Sequence, residues 1–256
     1  MLDLSGRDRV TLRTAEEVAR IREACRVVRD VLVELAAACT PGVTTWDLDR
    51  IAAAGARSRG AAPAFLGYLG YPASLCVSVN DEVVHGIPSR ERILRDGDLV
   101  GLDFGVMLDG WFGDSARTVV VGRAGPEALR LVEVCEDALA RGIAAARHGG
   151  AVGDIGAAVQ ACVEANGFSV VRDFVGHGIG RRLHEPPQVP NVGRAGEGVP
   201  LRAGMVLAIE PMVNAGSPEV STLDDGWTAV TEDGRLSAHF EHTVAVTENG
   251  PEILSL

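Results

Sequence analysis

The stretch "GLDFGVMLDGWFGDSART", residues 101–118, places two aspartates in an otherwise apolar run of the kind that forms strands. Asp109-Gly110 at its centre is the preferred pair for a two-residue type I′ turn, so the stretch predicts a β-hairpin. The turn sets the register and places Gly105 opposite Asp114. Because Asp103 lies two residues from Gly105, the pattern predicts that Asp103 and Asp114 share one face as diagonal neighbours, about 7–8 Å apart.

Two unpaired carboxylates on one buried face are unfavourable, because desolvation and mutual repulsion both oppose their ionisation. They can share a proton, pair with an arginine or lysine, or bind a cation. Arg117 is near in sequence, but it lies three residues from Asp114 and therefore on the opposite strand face. For the hairpin alone, a solvent-exposed position of both aspartates is an equally good interpretation.

Three further segments place polar side chains in strand-like surroundings. "FVGHGIG" (174–180) carries His177 between glycines that would let a ligand approach, "MVLAIEPMV" (205–213) carries Glu210, and "SAHFEHTVAV" (237–246) carries Glu241. Glutamate is depleted in strands and is seldom buried without a partner. Each residue alone could be a satisfied core group, but four carboxylates and one histidine together favour a dinuclear metal site. Such a donor set suits Mn²⁺ or Fe²⁺, and Co²⁺ would bind well in vitro.

The rest of the chain predicts two similar α/β halves. Helices are expected from the capping box at Thr14 to about residue 40, from Thr44 to Gly60, from Pro126 to Gly149, and over about 152–166. Residues 41–60 resemble residues 149–167, although two amphipathic helices that end in glycine can look alike by chance. Strands are expected at about 75–79, 98–107, 111–121, 169–175, 204–210 and 238–247, and residues 61–80 are expected to form a buried loop that leads into a strand.

The composition is that of an ordinary globular protein. The chain has 256 residues, of which 46% are hydrophobic and 23% charged. A net charge of -11 argues against a phosphate-binding surface and direct nucleic-acid binding. Five scattered cysteines, without a CxxC pair, predict reduced thiols, and the N-terminal residues lack the apolar segment of a secretory signal. A cytoplasmic protein without a membrane span is therefore expected.

Asp103, Asp114, His177, Glu210 and Glu241, with their local motifs, resemble the five metal ligands of the type I methionine aminopeptidases. The similarity runs from about residue 10 to the C-terminus. It implies an α+β pita-bread fold, with two pseudo-symmetric α/β halves around a central antiparallel sheet. It also implies a single metallopeptidase domain over residues 1–256, with a short extension at residues 1–10.

The resemblance further assigns roles to the ligands. It implies two divalent ions, Mn²⁺, Fe²⁺ or Co²⁺ with Zn²⁺ as an alternative, bridged by Asp114 and Glu241. Asp103 would chelate one ion, and His177 with Glu210 would hold the other. A hydroxide that bridges the ions would attack the first peptide carbonyl, with Glu210 as proton shuttle.

Two more histidines match the family, one in "NDEVVHGIPS" (80–89) and one in "RRLHEPPQVPN" (181–191). His85 would lie near the substrate amine, and His184 would bond the scissile carbonyl. The family's methionine pocket maps onto Phe65, Tyr71, Cys76, His85, Leu183 and Trp227. Leu183 stands where an aromatic residue is common and Phe65 where a cysteine is common, which leaves the pocket's tolerance open. For each of these residues alone, ordinary core packing is the simpler interpretation.

The resemblance thus implies a hydrolase, a methionyl aminopeptidase that removes the N-terminal methionine of nascent proteins and peptides and prefers a small second residue. A monomer is expected, and transient association with the ribosome stays open. Proline-specific relatives use the same ligand types but usually carry a large N-terminal domain, whereas about ten residues precede the first helix here. A binding module that has lost catalysis is the alternative outside enzymes, and such modules typically lose metal ligands.

Overall fold

The computed structural model describes residues 10–256, so most of the predicted N-terminal extension lies outside the described residues. Four α-helices, one short 3₁₀ helix at Tyr68–Gly70 and fifteen strands follow one another along these residues. The helices are α1 Ala15–Ala38, α2 Thr45–Ser58, α3 Pro126–Ala145 and α4 Val152–Ala165. The strands are β1 Ala62–Pro63, β2 Cys76–Val79, β3 Glu82–Val84, β4 Leu99–Leu108, β5 Trp111–Val120, β6 Ser169–Val170, β7 Gly176–Gly178, β8 Glu185–Val189, β9 Val206–Ile209, β10 Met212–Asn214, β11 Val220–Thr222, β12 Ala229–Thr231, β13 Ser237–His239, β14 Glu241–Thr247 and β15 Gly250–Ile253.

Local signals at the N-termini explain where the helices begin. Thr14 caps α1 and exchanges hydrogen bonds with Glu17, and Thr44 does the same with Asp47 at the start of α2. α3 begins at Pro126, whose missing N–H costs nothing in the first helical turn. The four predicted helices are therefore confirmed, although α3 ends at residue 145, before the glycine pair that was expected to stop it.

A nine-stranded antiparallel sheet joins the two halves. Its strand order is β1-β4-β5-β14-β9-β7-β8, with β2 added to β4 and β15 added to β14. The apolar faces of α1 and α2 pack with β2 and β4 in one buried cluster, and those of α3 and α4 pack with β9 and β14 in another. The halves meet where β5 pairs with β14, and α2 and α4 are both 14 residues long. The predicted α+β fold of two similar halves around an antiparallel sheet is confirmed.

Three predicted strands are too long. The strand expected at 169–175 is only Ser169–Val170, because the charged pair Arg172-Asp173 follows. The strand expected at 204–210 ends at Ile209, because Pro211 has no N–H to pair with a neighbouring strand. The strand expected at 238–247 is interrupted at Phe240 and forms β13 and β14.

The segment before β2 is only partly the buried loop that was expected: residues 73–75 are buried and lead into β2, but residues 66–70 are not buried. Leu66 and Leu69 are 55% and 65% exposed. Gly67 and Gly70 have φ angles of 82° and 92°, a left-handed backbone that turns the chain outward at this point. No helix among residues 10–256 is both long enough and apolar enough to cross a membrane.

Candidate metal centre

The hairpin of β4 and β5 brings the first two carboxylates together as predicted. Leu108 pairs with Trp111, and Gly105 lies opposite Asp114. The turn residues Asp109 and Gly110 have φ angles of 51° and 77°, the two positive values that a type I′ turn requires. The predicted register is therefore confirmed.

Glycine at position 105 makes room for the carboxylate of Asp114. A Cβ atom at Gly105 would lie 3.1 Å from Oδ1 of Asp114 and 2.8 Å from the ring of Phe65. The bare backbone here thus lets a carboxylate and an aromatic ring approach the same strand.

The other half of the sheet supplies the remaining side chains. His177 lies in β7 and pairs with Ala208 of β9, Glu210 comes directly after β9, and Glu241 begins β14. Glu241 pairs with Ala116 of β5, which also pairs with Asp103 of β4. The central strands thus carry all five predicted ligands to one region of the sheet.

The glycines beside His177 have a different role from the one expected. A Cβ at Gly176 would lie 2.3 Å from the carbonyl oxygen of Ala208, and one at Gly178 would lie 2.3 Å from that of Pro186. The glycines therefore admit the neighbouring backbone rather than a ligand. They let β7 pack tightly and hold the His177 ring in place.

The donor atoms are close, buried and short of partners. Asp114, His177 and Glu241 each offer a ligand atom, and these three atoms lie within 4.8 Å of one another. Nε2 of His177 is 3.5 Å from Oε1 of Glu210. Oδ1 of Asp103, Oδ1 of Asp114 and Oε1 of Glu241 are buried and have no hydrogen-bond partner among residues 10–256. Orphaned carboxylate oxygens that converge in this way fit a divalent cation, since buried charges are otherwise costly.

Electrostatics in this region oppose the charged form of every carboxyl group. Burial raises the pKa of Asp103 to about 7. Burial, with repulsion from the neighbouring carboxylates, raises the pKa of Asp114, Glu210 and Glu241 well above the usual range. Cations bound here would supply the missing positive charge, so this cluster is suited to hold metal rather than to stand alone.

His177 is prepared to act as a ligand. Burial lowers its pKa to about 4, so the ring is neutral at physiological pH. Its Nδ1 lies 2.9 Å from the carbonyl oxygen of Gly178, an arrangement in which Nδ1–H donates and Nε2 keeps its lone pair. Nε2 is the atom that faces Glu210.

The two histidines predicted to face a substrate border the same cavity, which has a volume of about 790 Å³. His85 has a left-handed φ of 61° and meets Phe174 and Trp227 edge-on, with ring centroids 5.3 and 6.3 Å apart. The ring centroid of His184 is 4.1 Å from that of His177. Burial lowers the pKa of His85 to about 4 and that of His184 to about 2, so both rings are neutral.

All twelve residues singled out from the sequence line this one cavity. Among the apolar members, Tyr71 meets Trp227 edge-on with ring centroids 5.1 Å apart, and its hydroxyl donates to the carbonyl oxygen of Gly86 at 2.9 Å. Burial raises the pKa of Cys76 well above the usual value, so it stays a thiol. The twelve are Phe65, Tyr71, Cys76, His85, Asp103, Asp114, His177, Leu183, His184, Glu210, Trp227 and Glu241.

Three residues at this site were missed from the sequence. Tyr68 approaches His184, and Phe174 packs against His85. Nε2 of His239 is buried without a hydrogen-bond partner among the described residues and lies 4.0 Å from Oε2 of Glu210. The position of His239 two residues before Glu241 was the available signal, whereas nothing near Tyr68 in the sequence indicates a partner 116 residues away.

Comparison with known proteins agrees with this geometry. The model of metallopeptidase family M24 matches residues 19–248. A methionine aminopeptidase of Clostridium perfringens is 53% identical over 96% of this chain and 99% of its own length. The crystal structure of methionine aminopeptidase from Rickettsia prowazekii superposes with a TM-score of 0.95 at 41% identity, and the match covers 97% of this chain and 100% of that one.

A more distant structure shares the fold. Prolidase from Pyrococcus furiosus has a TM-score of 0.79 at 23% identity, and the match covers 96% of this chain and 65% of that chain. At that identity the likeness concerns the fold alone. The proline-specific alternative therefore gains no support from it beyond a common architecture.

Proposed function

The chain belongs to metallopeptidase family M24, among the methionine aminopeptidases, and from that premise we propose that it removes the N-terminal methionine of nascent proteins and peptides. The observation that carries the proposal is the convergence of Asp114, His177 and Glu241 within 4.8 Å, beside Asp103 and Glu210, on the wall of an apolar-sided cavity. The reaction is hydrolysis of the first peptide bond, with preference for a small second residue.

Two divalent cations would be held by five residues, Asp103, Asp114, His177, Glu210 and Glu241. The orphaned oxygens of Asp103, Asp114 and Glu241 support this donor set. Oxygen-rich ligation with a single imidazole suits Mn²⁺, Fe²⁺ or Co²⁺, with Zn²⁺ as the alternative. When bound, such a pair lowers the pKa of a water molecule and stabilises negative charge that develops on a substrate oxygen.

The protein side chains contribute proton transfer and orientation. Glu210 takes a proton from the attacking water and returns it to the leaving amine. The neutral ring of His184 donates a hydrogen bond to the oxygen of the scissile carbonyl, where charge develops. His85, which contacts Phe174 and Trp227 edge-on, would lie near the substrate amine.

The apolar wall selects methionine. Phe65, Tyr71, Cys76 and Leu183 are buried, and Trp227 packs edge-on against Tyr71. Because the Tyr71 hydroxyl is used by a backbone carbonyl, this wall offers ring faces and a thiol rather than free polar groups. Thioethers make favourable contacts with aromatic rings, so a methionine side chain fits this lining.

The setting of the enzyme is part of the same proposal. Residues 1–256 form one metallopeptidase domain that acts as a monomer, without direct nucleic-acid or membrane binding and with at most transient association with the ribosome. We place it in the cytoplasm, because its five cysteines are buried and unpaired, as is typical of proteins in a reducing compartment.

Peptide hydrolysis tests the proposal. Metal-stripped protein is supplied with Mn²⁺, Fe²⁺, Co²⁺ or Zn²⁺ and is assayed with Met-Ala-Ser, Met-Leu-Ser and Ala-Pro-Ala. We expect cleavage of Met-Ala-Ser, slower cleavage of Met-Leu-Ser and none of Ala-Pro-Ala. Asp114→Asn should lose activity by about 100-fold or more, whereas Asp109→Asn, which keeps a residue that favours the turn, serves as the matched control.

Two results would contradict the proposal. Cleavage of Ala-Pro-Ala alone would identify a proline-specific enzyme. Absence of cleavage with every metal would favour the binding module.

A further inference from the structure

The segment "FLGYLGY", residues 65–71, forms a tight turn at the mouth of the cavity. Within the turn, the N–H of Gly67 donates to the carbonyl oxygen of Tyr71 at 2.8 Å. Just before it, the N–H of Ala64 donates to the carbonyl oxygen of Gly105 in β4 at 2.9 Å. Leu69, a non-glycine residue, has a left-handed φ of 50°. Such a backbone persists only where the surroundings impose it, so the turn holds Tyr68 in one place.

Tyr68 reaches across the cavity mouth to a residue of the other half. Its hydroxyl oxygen lies 2.8 Å from Nδ1 of His184. The two rings are stacked at 26°, with centroids 5.2 Å apart, and on its other side the His184 ring lies against His177. Contact on both sides prevents the imidazole from rotating freely.

Chemistry decides the direction of this hydrogen bond. Burial raises the pKa of the Tyr68 hydroxyl, which therefore keeps its proton at neutral pH. In its neutral form the His184 ring carries a single N–H, on one of its two nitrogens. An imidazole nitrogen is a better acceptor than a phenol oxygen, and a phenol is a good donor, so the hydroxyl donates to Nδ1.

We propose that Tyr68 is the positioning residue of His184, because its hydroxyl occupies Nδ1 and thereby keeps the ring proton on Nε2. Nε2 has no hydrogen-bond partner among residues 10–256 and borders the cavity, so its N–H is free for a substrate oxygen. The inference rests on the proposed function for its catalytic consequence. In the other tautomer, Nε2 would present a lone pair to the carbonyl oxygen and would repel it.

The tautomer can be measured without any substrate. Long-range ¹H–¹⁵N correlation spectra of the full ¹⁵N-labelled chain, with and without diamagnetic Zn²⁺, distinguish the protonated from the bare ring nitrogen of each of its six histidines. A His184→Gln variant assigns the signals. We expect wild-type His184 to be protonated at Nε2 alone, and Tyr68→Phe to show the Nδ1–H form as well.

A matched control separates this effect from the loss of any tyrosine hydroxyl. Tyr71→Phe removes the only other such hydroxyl, which bonds backbone carbonyls rather than His184, so the His184 tautomer should not change. Protonation at Nδ1 in the wild-type protein would overturn the proposal. An unchanged tautomer in Tyr68→Phe would also overturn it.

Kinetics with Met-Ala-Ser connect the tautomer to catalysis. Losing control of a catalytic histidine's tautomer costs up to about 10⁴-fold where the orienting partner is ionised, and for a neutral phenol we expect about a tenfold fall in kcat with little change in KM. A kcat unchanged in Tyr68→Phe would overturn the catalytic part. If wild-type protein cleaved no methionyl peptide, the proposed function would fail, while the spectra would still decide whether Tyr68 sets the tautomer.

Discussion

Removing divalent cations should make the folded chain lose stability as the pH rises, because its buried carboxyl groups must then ionise without counter-charges. An unfolded aspartate releases its proton near pH 4, whereas folded Asp103 holds its proton up to about pH 7. Between these values the folded state binds more protons than the unfolded state. The free energy of unfolding therefore falls with rising pH in this window, and the contribution of Asp103 levels off above it.

The size of this effect follows from the same displacement. Raising the pKa of Asp103 from 3.8 to about 7 corresponds to at most about 4 kcal/mol of lost stability at pH 8. Asp114, Glu210 and Glu241 have pKa values raised well above the usual range, so they extend the loss to higher pH. A cation present at a free concentration 1,000 times its dissociation constant would restore about 4 kcal/mol of the free energy of unfolding.

Urea unfolding in the presence of a chelator, from pH 4 to pH 8, measures the effect. Asp103→Asn cannot ionise, so without metal we expect it to be more stable than the wild type at pH 8 by up to about 4 kcal/mol and equal to it at pH 4. With saturating Mn²⁺ the order should reverse. Asp109→Asn, at the exposed turn, is the matched control and should follow the wild type throughout.

Two outcomes would refute this reasoning. One is a metal-free wild type that gains stability between pH 5 and pH 8. The other is an Asp103→Asn variant that is less stable than the wild type at pH 8 in chelator. Either outcome would mean that Asp103 is solvated or already paired.

Two further predictions concern the scaffold of the site. Glu185→Gln should lower the free energy of unfolding by about 3–5 kcal/mol in urea titration, because it leaves the buried guanidinium of Arg13 without its partner; a loss below 1 kcal/mol would mean that water reaches the pair. Gly113→Ala should cost about 1–3 kcal/mol, because its Cβ would lie 2.6 Å from the backbone nitrogen of Cys25. Gly125→Ala has open space and should change the thermal midpoint little, so equal effects of the two alanines would contradict the packing argument.

Features set by neighbours in sequence could be predicted from the sequence. The Asp109-Gly110 turn fixes which residues face each other in its hairpin, so the shared face of Asp103 and Asp114 follows from a few local rules. The capping boxes at Thr14 and Thr44 likewise mark helix starts without knowledge of the rest of the chain.

Features set by distant parts of the chain could not be predicted in this way. No local pattern shows that Glu241 pairs with Ala116, so its approach to the aspartates was expected from its strand-like setting and from family resemblance, not from any predicted strand pairing. The role of Gly178 depends on the carbonyl of Pro186 on a neighbouring strand, and the role of Tyr68 on a histidine in the other half. Strand ends were misplaced for the same reason, because pairing partners rather than local propensity decide where a strand stops.

The central claim is that five side chains from the two halves together hold two divalent cations. Equilibrium dialysis of the metal-stripped chain against Mn²⁺, with metal content measured by plasma mass spectrometry, tests it most directly. We expect about two ions per wild-type chain, about one in Asp103→Asn and less than one in Asp114→Asn. A wild-type chain that binds no ion, or an Asp114→Asn variant that retains both, would contradict it.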